Sequence, residues 1–352
     1  MCGRCRGRNG LSLPLSAISL RSMNALHVRR RELLVSAALG CSLWRAEAQE
    51  RLRRVAVLNG VIQHDEGETL VALFRETLAN LGWQVGRNLE FEVRWSTASA
   101  ESTRRAAQEL LAWKPDVILA RNTISVEKLL ELKAELPIVF VSVFDPFGSG
   151  FVSEVTRPGK NITGFTTHDY GMAVKWVEFL KLVAPQITRV ALLFNPETAP
   201  YAQRFYDNLF TKAAQQIGVG ASAAAARSEA EIDNLIEEIG RSSGGLCVMA
   251  DPFTSKYVSR IVDAVARERV PAVYPWSGMA KAGGLLSYSI VQDEMYRRAA
   301  EYVDRILRGE RPGDLPVQSP TKYELLINLK TARELGISIP DRLLAFADAV
   351  IE

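Results

Sequence analysis

Arg54-Val55-Ala56-Val57-Leu58-Asn59 and Arg189-Val190-Ala191-Leu192-Leu193-Phe194-Asn195 share one pattern: an arginine, an unbroken apolar run, then an asparagine where the run gives way to a loop. Apolar residues at consecutive rather than alternate positions suit a strand buried on both faces, as in a parallel sheet covered by helices. Its recurrence predicts one α/β lobe used twice. Outward from the first run, strands are expected at 89–95, 117–120 and 138–143, separated by helices at 70–81, 103–112 and 125–132. From the second run, strands at 245–249 and 272–274 alternate with helices at 229–239 and 254–268, and a long helix is expected at 293–307.

Three turn-rich, extended stretches interrupt this alternation: 157–164, the residues after Gly283-Gly284, and the proline-bounded 316–320. They suit two lobes joined by three crossing segments. The expected division is 54–166 plus 285–315 for the first lobe, and 167–284 plus 316–352 for the second. A chain of 352 residues, 47% hydrophobic, has the size for two domains and the apolar content for their cores.

Residues 1–48 are expected to be an N-terminal extension and export signal. Arg30-Arg31 stands directly before the apolar stretch 33–44, which is too short to span a bilayer comfortably, and Ala46-Glu47-Ala48 offers a small-x-small cleavage site before Gln49. The arginine pair resembles a twin-arginine signal. Ala38-Leu39-Gly40-Cys41 loosely resembles a lipobox, which leaves a lipid anchor at Cys41 as an alternative, and Met23 is an alternative start to Met1. This segment holds eight arginines and two glutamates, so the overall charge of +3 conceals a remainder of −3. A remainder with no basic excess argues against nucleic-acid binding. Cys247 would be the single cysteine of the mature chain, so no disulfide is expected within it.

Motifs of catalysis are sparse: no GxGxxG after the first strand, no phosphate-binding Walker loop, no GxSxG and no HExxH. His64 and His168 stand apart without a metal-spaced partner. A binding protein is therefore expected, with no catalytic residue, metal or cofactor. In open parallel sheets, ligands lie beyond the carboxyl ends of the strands. That rule nominates Asn59, Gly60, Thr123, Ser125, Phe144 and Asp145 in the first lobe, and Asn195, Tyr201, Asp251 and Trp276 in the second, with Tyr288 near the second crossing. Thr123 and Asp145 are expected to face Asn195, Asp251 and Trp276. An aspartate would pair with a ligand ammonium, and Phe144, Trp276 or Tyr288 would stack on a ring. Asparagine at a strand end and Asp-Pro are also ordinary turn and cap formers, so each position has a purely structural alternative.

Pro137-Ile138-Val139-Phe140-Val141 followed by Asp145-Pro146, then Arg157-Pro158-Gly159-Lys160-Asn161-Ile162-Thr163-Gly164, form a series. It continues with Ala282-Gly283-Gly284-Leu285-Leu286-Ser287-Tyr288 and Pro320-Thr321-Lys322-Tyr323-Glu324-Leu325-Leu326-Ile327-Asn328-Leu329-Lys330-Thr331-Ala332. With the arginine-pair leader, these segments resemble the ABC transporter substrate-binding family that includes tryptophan- and tyrosine-type importers. The resemblance implies a type I periplasmic-binding fold, a periplasmic or otherwise extracytoplasmic location, a small-molecule ligand held by hinge closure, and docking onto an ABC permease and its ATPase. Membrane contact would be through the permease. Arg121-Asn122-Thr123 departs from the family's common pattern, in which a small, glycine-containing turn is frequent, and Arg121 would either pair with a ligand carboxylate or point into solvent. The alternative function is a sensor subunit that presents the closed state of the same fold to a membrane kinase or chemoreceptor.

Overall fold

The computed structural model describes residues 52–97, 99–167 and 170–352, so the expected export signal, Cys41 and His168 lie outside the described residues. The first lobe runs β1 (Arg53–Asn59), α1 (Asp65–Asn80), β2 (Leu89–Trp95), α2 (Ala100–Ala112), β3 (Val117–Arg121), α3 (Thr123–Glu131), β4 (Ile138–Val143) and β5 (Ile162–Thr166). The second opens with α4 (Tyr170–Val183) and β6 (Arg189–Phe194). A helix then begins as α5 (Ala202–Phe205), widens to π geometry over Tyr206–Phe210 and ends as α6 (Thr211–Ile217). There follow β7 (Gly220–Ala225), α7 (Glu229–Arg241), β8 (Gly245–Val248), α8 (Pro252–Lys256), α9 (Val258–Arg267), β9 (Ala272–Tyr274), α10 (Ser277–Lys281) and β10 (Leu286–Ile290). The chain closes with α11 (Gln292–Leu307), β11 (Tyr323–Asn328), α12 (Leu329–Leu335), α13 (Asp341–Leu344) and β12 (Ala349–Ile351).

The strands form a five-stranded sheet of order β2-β1-β3-β4-β5 and a seven-stranded sheet of order β12-β11-β10-β9-β8-β6-β7. All pairings are parallel except β10 with β11. Read from its other edge, β7-β6-β8-β9-β10 repeats the order of the first sheet, which is the duplication seen in the two arginine-led runs. Those runs are buried on both faces as their composition demands. Val55 and Val57 enter one cluster while Ala56 and Leu58 enter another; Val190, Leu192 and Phe194 likewise separate from Ala191 and Leu193. Trp176, Tyr201 and Phe205 of the second lobe share a cluster with Phe144 of the first, so one core continues across the junction.

The chain changes sheets three times: between β5 and α4, between β10 and α11, and between Gln318, which bridges to Phe165, and β11. One boundary differs from expectation. Leu286–Ile290, assigned to the first lobe with 285–315, pairs with β9 and β11 in the second sheet, whereas α11 packs on α1, β3, β4 and β5 and Pro312–Asp314 packs beside β5, as expected of the first lobe. An apolar pattern identifies a strand but not its neighbours, and the fifth strand of the repeat belongs beside the fourth. The expected helix at 254–268 is broken at Tyr257, where α8 ends and α9 begins. Among the described residues no helix is long and apolar enough to cross a membrane.

Candidate functional site

The carboxyl ends of the first-lobe strands and the facing loops of the second enclose a cavity of about 450 Å³. On the first-lobe side, β1 leads through Ile62 to His64, whose Nδ1 accepts the Gly67 N–H at 3.1 Å and starts α1. That cap puts Glu66 in the first turn, facing the cavity. β3 ends in Arg121, only 9% exposed, whose Nη1 has no hydrogen-bond partner. β4 contributes Ser142 and, one residue past its end, Phe144. Ser142 has φ 56° at an irregularity in the β4–β5 pairing, and its N–H is directed at Met295 Sδ, 3.3 Å away.

The second lobe supplies a largely apolar wall, in which Met172, Trp176, Tyr201, Trp276 and Met279 are prominent. The Trp176 indole N–H donates to the Tyr288 carbonyl (3.0 Å), and the Tyr201 hydroxyl donates to the Ala250 carbonyl (2.6 Å), so their polar atoms are satisfied inside the protein. Phe144 stacks on Tyr201 with centroids 4.9 Å apart and planes 13° apart, and meets Phe205 edge-on at 5.0 Å. The lobes thus touch through aromatic rings. Elsewhere in the lining, Glu66 Oε1 accepts from Gln292 Nε2 (3.3 Å), and Lys256 is exposed. Burial pushes the Glu66 carboxyl above its ordinary value, opposed by the positive charges of Arg121 and Lys281. A cavity with aromatic walls, one buried guanidinium and one half-buried carboxylate suits an organic solute with a flat apolar body and charged groups.

Of the residues nominated from sequence, Phe144, Tyr201 and Trp276 line the cavity. The others do not meet there. Asn59, Gly60 and Ser125 pack behind the wall: a Cβ on Gly60 would lie 2.5 Å from Asn122 Oδ1 and 2.7 Å from Ser125 Oγ. Thr123 Oγ1 receives the Phe144 N–H at 3.5 Å. Asp145 accepts the Gly148 N–H (2.8 Å) and pairs with Arg204 of the second lobe (3.2 Å). Asn195 Oδ1 accepts the N–H groups of Glu197 and Thr198, organising its own turn. Tyr288 stacks on Tyr323 and meets Phe179 edge-on.

Asp251, expected to await a ligand ammonium, is engaged by the protein. Its Oδ1 accepts from Phe253 N (2.6 Å), Thr254 N (2.9 Å) and Thr198 Oγ1 (3.1 Å), and its Oδ2 from Asn195 N (3.2 Å). It is the cap of α8, with Thr254 completing a capping box. The strand-end rule leads to the sheet edges where this cavity lies but does not tell a cap from a side chain that lines it. It also missed Glu66, Ser142, Trp176 and Gln292. Glu66 stands one helical turn beyond the loop that the rule marked, and Trp176 within an apolar helix reads as core.

Two α/β lobes of like topology, joined by three crossings around an aromatic-walled cleft, define a two-lobed solute-binding protein. The family model described as ABC transporter substrate binding protein matches residues 54–351, and the chain belongs to that family. It is similar to a tyrosine-binding protein of Clostridioides difficile, 23% identical over 283 residues and 80% of each chain. The fold matches a conserved domain protein of Vibrio cholerae with TM-score 0.79 and 25% identity, over 85% of this chain and 100% of that one. It also matches an ABC domain from Streptococcus pneumonia in complex with L-Trp, with TM-score 0.78 and 23% identity, over 85% of this chain and 99% of that one. Members of the family are extracytoplasmic binding proteins rather than enzymes, taking a small-molecule ligand and working with a transporter permease and ATPase.

Proposed function

We propose that this protein is the capture component of an ABC importer for an aromatic amino acid or a closely similar carboxylate, held by closure of the two lobes. The observation that carries this reading is the juxtaposition, in one cavity drawn from both lobes, of aromatic walls with Arg121, a buried guanidinium whose Nη1 has no hydrogen-bond partner. A guanidinium in such a place loses its water and gains most from a planar carboxylate that can take two of its N–H groups. Trp276, half-buried on the second lobe, offers apolar area to an aromatic side chain, backed by the buried Trp176. The named ligands of the Clostridioides and Streptococcus relatives, tyrosine and tryptophan, agree with that chemistry.

Closure follows as a population shift. A solute touching Arg121 from one side and Trp276 from the other makes both sets of contacts only when the lobes are together, so its binding favours that state. The permease can then separate loaded from empty protein by shape. Export by the arginine-pair leader, with cleavage before Gln49, delivers the protein to the compartment where such a solute is met. N-terminal sequencing of the exported protein checks this; diacylation at Cys41 would instead give a lipid-anchored form.

Titration calorimetry with L-tryptophan and L-tyrosine, beside mass spectrometry of small molecules carried through purification, tests the ligand class. A retained sugar or polyol, with neither amino acid bound, would refute it. X-ray scattering with and without ligand tests closure, and an unchanged radius of gyration would refute that part.

A further inference from the structure

Gly278, in the first turn of α10, has an ordinary negative φ, so its backbone places no demand on glycine, and alanine would be the better helix former. The reason for a missing side chain lies across the cleft. A Cβ built on Gly278 would lie 2.9 Å from Glu66 Oε2 and 3.9 Å from its Cδ, and no other group comes within 4 Å apart from chain neighbours and the helix itself. Glu66 belongs to α1 of the first lobe and Gly278 to α10 of the second. The glycine leaves room for this carboxylate between the lobes.

Among the described residues lining the cavity, Glu66 is the one carboxylate, set against the cations Arg121 and Lys256. Its Oε1 is engaged by the neutral amide of Gln292, while Oε2 faces the seat at Gly278. The carboxylate is thus half-buried between the lobes, with no directly bonded cation among the described residues. A cationic group on the solute would supply one.

We propose that Glu66, seated against Gly278, is the specificity-determining residue of the cleft: it accepts the cationic group of the solute, so that the lobes close favourably only on a solute that carries one. The inference rests on the aromatic amino acid reading and deepens it by assigning the ammonium to Glu66, not to the capped Asp251. Selection works by penalty. A solute with the carboxylate and ring but no ammonium still reaches Arg121 and the aromatic wall, yet leaves the half-buried Glu66 with no directly bonded cation. The raised proton affinity that burial gives this carboxyl accords with that cost.

The test compares L-tryptophan with indole-3-propionate, which lacks only the ammonium, by titration calorimetry on wild type, Glu66→Gln and Gly278→Ala. Wild type is expected to bind L-tryptophan about 100-fold more tightly than the desamino analogue. Glu66→Gln should shrink that ratio to about fivefold or less, whereas a merely structural role would weaken both ligands alike and keep the ratio. Gly278→Ala reaches the same carboxylate from the opposite lobe. Because Glu66 Oε2 ends a flexible side chain, the added methyl should displace it without unfolding the lobe, and the ratio should fall here too. A wild-type ratio near one, or a ratio unchanged in both variants, overturns the inference while leaving the aromatic amino acid reading intact. Binding of neither compound to wild type overturns both.

Discussion

Substitution of Asp251 separates a ligand-binding carboxylate from a structural one, because the two roles move different observables. The carboxylate is buried, and four donors converge on it: two N–H groups at the start of α8, the Thr198 hydroxyl and the Asn195 N–H. Asp251→Ala removes the cap of α8, worth about 1–2 kcal/mol, and strands the buried Asn195 N–H, worth about 1–3 kcal/mol. Part of that loss is offset at neutral pH, since alanine also removes a charge that burial disfavours. A net loss of about 2–3 kcal/mol is expected. Asp251→Asn can keep Oδ1 and its cap bonds while turning an amide N–H towards the Asn195 N–H. Its loss should be nearer 1 kcal/mol. Urea denaturation of the ligand-free protein measures both, and calorimetry with L-tryptophan or L-tyrosine measures affinity. Stability ordered wild type, asparagine, alanine, with ligand affinity held within about threefold, is the expected result, the last because Asp251 lies outside the cavity. Unaltered stability combined with lost binding in both variants would refute the reasoning and return Asp251 to the ligand.

The same residue gives a pH dependence. Burial raises the Asp251 carboxyl from 3.8 to about 6 against the pull of its four donors. The native state therefore holds a proton that the unfolded chain releases between about pH 4 and pH 6, and this group's contribution to stability, full below about pH 4, is lost as pH rises through that window. Wild type should lose of order 2–3 kcal/mol relative to Asp251→Asn across it; parallel profiles would contradict this. Trp276→Ala should weaken an aromatic ligand by about 1–2 kcal/mol, with little effect on ligand-free melting because the indole is half-buried; equal calorimetric affinities would place the ring elsewhere. Gly164→Ala should destabilise the first lobe by more than about 3 kcal/mol in urea, since φ is 154° and the new Cβ would fall 2.1 Å from the Phe140 carbonyl oxygen; near wild-type stability would mean that β4 and β5 can separate at little cost. Arg204→Ala breaks a part-exposed ion pair between lobes and should cost no more than about 1 kcal/mol of ligand affinity, a difference that disappears in 1 M salt; a salt-insensitive loss would show that Arg204 acts by another route.

The lobes were legible in sequence because a strand buried on both faces has no polar side, and Arg54 to Asn59 and Arg189 to Asn195 carry that signature whatever surrounds them. Sheet membership was not legible at Leu286–Ile290, since its assignment depends on hydrogen bonds to β9 and β11 rather than on anything in the five residues themselves. The site divides in the same way. Phe144, Tyr201 and Trp276 follow strands and have side chains large enough to reach the cavity, whereas Asn195 and Asp251 follow strands but fold back onto adjacent N–H groups. Short polar side chains at a strand end have unsatisfied backbone donors within reach of one or two bonds, and those local partners are met before any ligand. Long charged side chains cannot be satisfied so close to their own backbone. Arg121 and Glu66 therefore extend into the cleft, with a guanidinium nitrogen lacking a hydrogen-bond partner on one and a carboxylate engaged only in part by Gln292 on the other. Length, more than polarity, separates contact from cap at the carboxyl edge of these sheets. By that criterion a sequence reading gives greater weight to Arg121, which ends its strand, than to the asparagine and aspartate that end theirs.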